Sequence, residues 1–194
     1  MVIESVNPAT TVAATTSLLT GKYPVETGYL GWTLQFDEYD DAIFTFRHKK
    51  CRNDEQLEED VMLKKCPNEY IYDILNKHGV KASRLMKNPA DPNGQLDLKD
   101  GLGRANEFFK NGGEFLYYYD NEPDHCIHTY GTGSPLVAHK LYQCFRMLRR
   151  FIKANPDVLV ISIADHGLID CKTIDMAEHK DLTSLLCKPV SIEG

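Results

Sequence analysis

The second half of the chain carries a strand, helix, strand succession that narrows the possible folds most. Glu114-Phe115-Leu116-Tyr117-Tyr118-Tyr119 is apolar and aromatic, the composition of a strand. Residues 134–154 place Leu141, Cys144, Phe145, Leu148, Phe151 and Ile152 at three- and four-residue spacing, which makes the apolar face of a long helix. Asn155-Pro156-Asp157 breaks that helix, and Val158–Ile163 follows as a continuous apolar run. Such a run is typical of a parallel strand covered on both faces. The order implies an α/β fold with a mostly parallel central sheet flanked by helices.

Upstream the same alternation recurs. Thr11–Leu19 reads as a short helix, stopped by Thr20-Gly21 with Pro24 just beyond and started by Asn7-Pro8-Ala9-Thr10. Tyr70–Lys77 is a helix with Ile71, Ile74 and Leu75 on one side, and Val80–Leu85 a strand. Leu98–Lys110 is a helix with Leu98, Leu102, Ala105 and Phe109 in register, ended by Asn111-Gly112-Gly113. Residues 37–67 differ: charge is dense, and Ala42–Phe46 is the one short strand expected there. This stretch reads as an insertion or cap on a single domain spanning 1–194.

Composition removes several classes. At 42% hydrophobic and 26% charged residues, the chain has the balance of a globular protein. No apolar run approaches the roughly 20 residues of a membrane span. A net charge of −6 argues against a nucleic-acid scaffold. Arg146, Arg149, Arg150 and Lys153 cluster on the long helix, where a solvated face is the favoured reading. The start has no basic and apolar leader, and Cys51, Cys66, Cys126, Cys144, Cys171 and Cys187 form no CxxC pair. Free thiols and a cytoplasmic setting are the expectation; the oligomeric state is not legible.

In parallel α/β sheets, ligands bind where the strands end at their carboxyl side. After the aromatic strand comes Asp120-Asn121-Glu122-Pro123-Asp124-His125-Cys126-Ile127-His128; after the second comes Ala164-Asp165-His166-Gly167. Carboxylate with imidazole is a common ligand set for Zn²⁺ or Mn²⁺. Asp124 and His128 lie one helical turn apart, while the adjacent Asp165 and His166 need the bend that Gly167 permits. A third element is Pro8-Ala9-Thr10-Thr11, at the start of the first helix. Free N–H groups there favour a phosphate, and a metal beside the Thr11 hydroxyl would turn it into a nucleophile. Taken alone, such a threonine is more often a cap.

In order and spacing the three elements resemble the alkaline phosphatase superfamily, in its type I phosphodiesterase and nucleotide pyrophosphatase branch. The resemblance rests on Thr11 nine residues before Thr20-Gly21-Lys22-Tyr23-Pro24, on Glu122-Pro123-Asp124 with His128 and Tyr130-Gly131, and on Asp165-His166-Gly167. It implies phosphoester hydrolysis through a phospho-threonine on Thr11, with Thr10 the competing nucleophile. It also implies two divalent ions, zinc or alternatively manganese, about 4 Å apart in such sites. Asp124 and His128 would hold one, and Asp165, His166 and Thr11 the other. The substrate would be a small-molecule phosphoester. Relatives also carry a ligand Asp upstream of the nucleophile and a further His downstream. None of the ten residues before Thr11 is Asp, and His179 follows His166 by only thirteen, so the fold is expected to be truncated at both ends. Where the nucleotide-cleaving group has a phosphate-contacting Asn, Trp32 stands here, either as a stacking platform or as core. A phosphomonoesterase of the same superfamily and an inactive binding module that retains the fold are the alternatives. Sulfatases and cofactor-independent phosphoglycerate mutases rank lower, because they use Cys or Ser at the nucleophile.

Overall fold

The first helix is buried on nearly every side, which its composition of small residues and threonines allows. In the computed structural model, which describes residues 4–86, 97–172 and 174–185, α1 runs Thr11–Thr20. Thr11 through Ser17 and Leu19 are all buried. Two threonines in it would otherwise leave hydroxyls stranded; Thr15 Oγ1 donates to the Thr11 carbonyl at 2.6 Å and Thr20 Oγ1 to that of Thr16 at 2.7 Å. Thr10 caps the helix by accepting from the Ala13 N–H. Gly21, at φ 69°, ends it in the left-handed region that glycine enters without strain.

Contacts divide the chain into two compact units. The first draws on Met1–Glu69, Ala164–Gly167 and Cys171–Gly194. After α1 come α2 (Pro24–Thr27) and an antiparallel sheet of β1 (Thr33–Gln35), β2 (Ala42–Phe44) and β3 (Lys49–Lys50). Then comes α3 (Val61–Lys65), capped by Asp60. Val12, Tyr29 and Met62 form its core, with Trp32, Leu34, Phe36, Phe46 and Cys66 packed around them. The charged stretch 37–67 lies in this unit, and its charges are largely answered locally. Lys50 pairs with Asp40 and Glu55, Lys65 with Glu38, and the buried Asp41 accepts from the Ala42 and Arg52 backbone N–H groups. Within it the strand is shorter than expected, ending at Phe44 because the chain turns there.

The second unit comprises Tyr70–Ile163 and Leu168–Asp170. It contains α4 (Ile71–Lys77), β4 (Ala82–Met86), α5 (Leu98–Lys110), β5 (Phe115–Tyr119), α6 (Asp124–Tyr130) and α7 (Pro135–Ala154). β4 and β5 pair in parallel from Ala82↔Phe115 to Met86↔Tyr119. α4 and α5 pack on both strands, and α7 packs on α5 and α6. Asn76, near the end of α4, both donates to and accepts from the Ala82 backbone at 3.0 Å, fixing the start of β4. Helix and strand positions here follow the sequence closely. α8 (Lys180–Thr183), in the first unit, completes the order. Among the described residues no helix is long and apolar enough to cross a membrane. Cys187 lies outside the described residues, and the other five cysteines are free thiols.

Val158–Ile163 departs from expectation. It is not a strand: no ladder reaches it among the described residues, and Leu159, Ile161 and Ile163 are 85%, 73% and 45% exposed. A parallel strand takes its hydrogen bonds from neighbours distant in sequence. The parallel sheet described here consists of β4 and β5 alone, and neither pairs with this run. The α/β character therefore holds, while the parallel sheet is small.

Two glycines of α5 provide a matched test of its packing. A Cβ on Gly101 would lie 2.4 Å from Tyr118 Oη and 2.6 Å from Cζ, whereas a Cβ on Gly103 would meet nothing within 4 Å. Gly103→Ala should stabilise by about 0.5–1 kcal/mol through helix propensity. Gly101→Ala should destabilise by about 1–3 kcal/mol despite the same propensity gain, because the ring must move. Urea unfolding of the two variants checks the opposite signs. Tyr72 gives a pH test. Burial, partly countered by the Arg84 guanidinium near its ring, pushes its phenol from 10.0 up to about 12. A raised folded pKa leaves stability intact below pH 10 and erodes it between 10 and about 12. Alkaline unfolding followed with tyrosinate absorbance should show this loss, and Tyr72→Phe should reduce it.

Candidate active site

Thr11 occupies the first turn of α1 and is 5% exposed. Its hydroxyl meets a residue 155 positions away: Thr11 Oγ1 and His166 Nε2 are 3.1 Å apart. The other ring nitrogen, Nδ1, lies 3.0 Å from the Gly167 carbonyl. A carbonyl only accepts, so Nδ1 carries a proton, and in the neutral imidazole the Nε2 lone pair faces Thr11. To that form of the ring the Thr11 hydroxyl donates at Nε2. Asp165 Oδ2 is 3.7 Å from the same Nε2. Ser5 Oγ donates to the Asp165 carbonyl at 2.6 Å and holds the bend between the two site residues. Thr10, by contrast, spends its hydroxyl on the helix cap. These residues all belong to the first unit.

The second unit carries the other pair. Asp124 opens α6, and His128 follows one turn later on the same side, with Nε2 3.6 Å from Asp124 Oδ1. The preceding loop is pinned through Asp120, which accepts from Tyr118 Oη at 2.8 Å and from the Glu122 N–H at 2.9 Å. Burial and the Asp120 carboxylate both push the Tyr118 phenol far above its usual range, so it stays a donor. Lys140 of α7 pairs with Glu122 at 3.7 Å.

Buried oxygens without hydrogen bonds mark both places. Asp165 Oδ2 and Asp124 Oδ1 are each buried with no hydrogen-bond partner, as are Asn121 Oδ1 and Glu122 Oε2. At 3.6–3.7 Å the neighbouring imidazoles are too distant to hydrogen-bond these carboxylates. A stranded carboxylate oxygen is unfavourable by itself, and a divalent cation is one group that relieves it. Oxygen and imidazole donors suit zinc or manganese. Among the described residues, though, no three His, Cys, Asp or Glu side chains converge as one set.

The remaining sequence candidates separate. Trp32 lies half-buried with its ring edge-on to Phe46 at 6.0 Å, packed against the core of the first unit. His179 caps the four-residue α8 and is exposed. Sequence reasoning did not single out Ser5, Asp120 or Lys140. Ser5 and Lys140 act through contacts distant in sequence, while Asp120 closes a local turn signalled only by its place at the end of a strand.

No curated protein matches the chain. One family model does, that of type I phosphodiesterase / nucleotide pyrophosphatase, over residues 2–185. That span includes Thr11, Asp124, His128, Asp165 and His166. By this match over nearly its whole length, the chain belongs to the type I phosphodiesterase / nucleotide pyrophosphatase family, whose chemistry is phosphoester hydrolysis and whose members are generally metal-dependent.

Proposed function

We propose that the chain hydrolyses small-molecule phosphoesters with Thr11 as nucleophile, Asp165 and His166 binding one divalent cation beside it, and Asp124 and His128 binding another. The observation that carries this reading is the Thr11 hydroxyl 3.1 Å from Nε2 of His166, with an unpartnered Asp165 oxygen alongside. A divalent cation held by Asp165 and His166 would lower the pKa of the Thr11 hydroxyl and offset charge on the attacking oxygen.

The chain's own residues supply the rest. Placement at the first turn of α1 directs free backbone N–H groups towards an incoming phosphoryl oxygen. Burial of Thr11 excludes competing water from its hydroxyl. The Oγ1–P bond forms as the bond to the leaving alkoxide breaks, and the hydroxyl proton passes to a base or to water. Water then attacks phosphorus of the phospho-threonine, releasing the phosphate product and restoring Thr11. Gly167 and Ser5 hold the Asp165-His166 bend in place.

A second reading, a binding module that keeps the fold without turnover, is favoured by the absence of three converging ligand side chains among the described residues. Activity separates the two. Hydrolysis of aryl phosphate mono- and diesters should fall roughly a thousandfold or more in Thr11→Ala. Thr10→Ala should retain most activity and lose about 1 kcal/mol of helix capping. Mass spectrometry of acid-quenched enzyme should find the phosphoryl group on Thr11; a label on Thr10 would move the nucleophile by one residue. Elemental analysis should find zinc or manganese in the wild-type chain. Asp165→Ala/His166→Ala and Asp124→Ala/His128→Ala should each lower it. Chelation should abolish turnover and added metal restore it; a metal-free, inactive wild type favours the binding module.

A further inference from the structure

Helix α7 carries Lys140, Arg146, Arg149, Arg150 and Lys153 and no acidic residue in its 20 residues, in a chain whose net charge is −6. Its inner side packs on α5 and α6, with Val137 buried and Cys144 and Leu148 half-buried. Two of the cations, Arg146 and Arg150, line a cleft against the start of α5 and the Glu122 loop. Arg149 and Lys153 stand clear of that cleft and are exposed.

Solvation accounts for the cations but not for what lies among them. Tyr142, Phe145, Arg149 and Ile152 recur every three or four residues, so they share one strip of the outer side. Lys153 joins that strip three helical turns beyond Tyr142. Tyr142, Phe145 and Ile152 are 59%, 63% and 43% exposed. Among the described residues neither Arg149 nor Lys153 makes an ion pair. Arg146 lies over the Tyr142 ring, 5.6 Å from its centroid, and extends the positive charge along the strip. Large apolar side chains interleaved with unpaired cations match a partner that is apolar and anionic at once. A nucleic-acid backbone would meet the cations and leave Phe145 and Ile152 in water. The boundary of an anionic bilayer supplies both parts: phosphates and carboxylates for the cationic heads, hydrocarbon for the apolar side chains.

We propose that the outer strip of α7 docks the chain on an anionic lipid surface, with Tyr142, Phe145 and Ile152 entering the headgroup boundary and Arg149 and Lys153 pairing with lipid headgroups. The helix lies on such a surface and does not cross it, since no helix among the described residues is long and apolar enough to span. The long stems of Arg149 and Lys153 let their charged heads stay with the headgroups while the neighbouring rings sink. Binding of this kind needs no ester cleavage, so it stands or falls apart from the hydrolase reading.

Co-sedimentation of the full chain with vesicles tests this, comparing phosphatidylcholine alone with phosphatidylcholine containing about 30% phosphatidylserine. The wild type should bind the anionic vesicles about tenfold more tightly or better, and high salt should remove most of that preference. Arg149→Gln/Lys153→Gln should weaken binding to anionic vesicles about tenfold. Phe145→Ser/Ile152→Ser should weaken it too, at low and high salt alike. Lys22→Gln/Lys110→Gln, which removes the same charge from exposed positions elsewhere, should bind as the wild type does. A wild type with no anionic preference overturns the proposal. Equal losses in the two charge pairs would mean unspecific attraction and overturn it as well, as would full binding by Phe145→Ser/Ile152→Ser. Tight binding of duplex DNA or of an acidic polypeptide, with the vesicles left unbound, would hand the strip to that partner instead. Circular dichroism checks folding; if the Arg149 and Lys153 pair unfolds, Lys153→Gln alone takes its place with a smaller expected loss.

Discussion

A single contact between residues 155 positions apart, the Thr11 hydroxyl against His166 Nε2, organises the candidate catalytic centre of the first unit. It requires two things at once. The start of α1 must be fixed, which the Thr10 cap and burial on nearly every side provide. The imidazole must carry its proton on Nδ1, which the Gly167 carbonyl imposes. Change either and the lone pair no longer faces the hydroxyl. Ser5 adds a third restraint by holding the Asp165 carbonyl. A nucleophile on an exposed, fraying helix end would lack this definition. Here the helix lies in the core, and the Thr15 and Thr20 hydroxyls are satisfied by carbonyls one turn earlier.

Regular elements were legible wherever local signals agreed. Gly21 after Thr20, Asn111-Gly112-Gly113 after α5 and Asn155-Pro156-Asp157 after α7 each specify a boundary by chemistry within a few residues. Val158–Ile163 shows where such reading stops. An apolar run states that a segment is suited to burial, but a parallel ladder is made by a partner elsewhere in the chain, and no local signal names it. The same divide separates the site residues. Thr11, Asp165 and His166 stand in short motifs, so their meeting within the first unit was foreseeable. Ser5 near Asp165 and Lys140 beside Glu122 depend on tertiary placement.

Charge placement on α7 has the same lesson in finer grain. Sequence pattern puts Arg146, Arg149, Arg150 and Lys153 together, and a solvated face accounts for the group as a whole. Only the positions of α5 and the Glu122 loop distinguish the two arginines that line a cleft from the two cations that do not. Likewise the stranded oxygens of Asp124 and Asp165 are properties of packing: sequence identifies carboxylates, and only three dimensions reveal that a given oxygen has no donor within reach.

The run Val158-Leu159-Val160-Ile161-Ser162-Ile163 has no charge, no proline and alternate apolar side chains turned to solvent. Its backbone is also free of any ladder among the described residues. Those are the properties of a segment that self-associates through intermolecular β-pairing. Colloidal behaviour and the geometry of the candidate centre are thus coupled in sequence, since the residues prone to stacking end shortly before the Asp165-His166-Gly167 bend. Assembly of chains along this run would pull on the bend that presents the imidazole to Thr11.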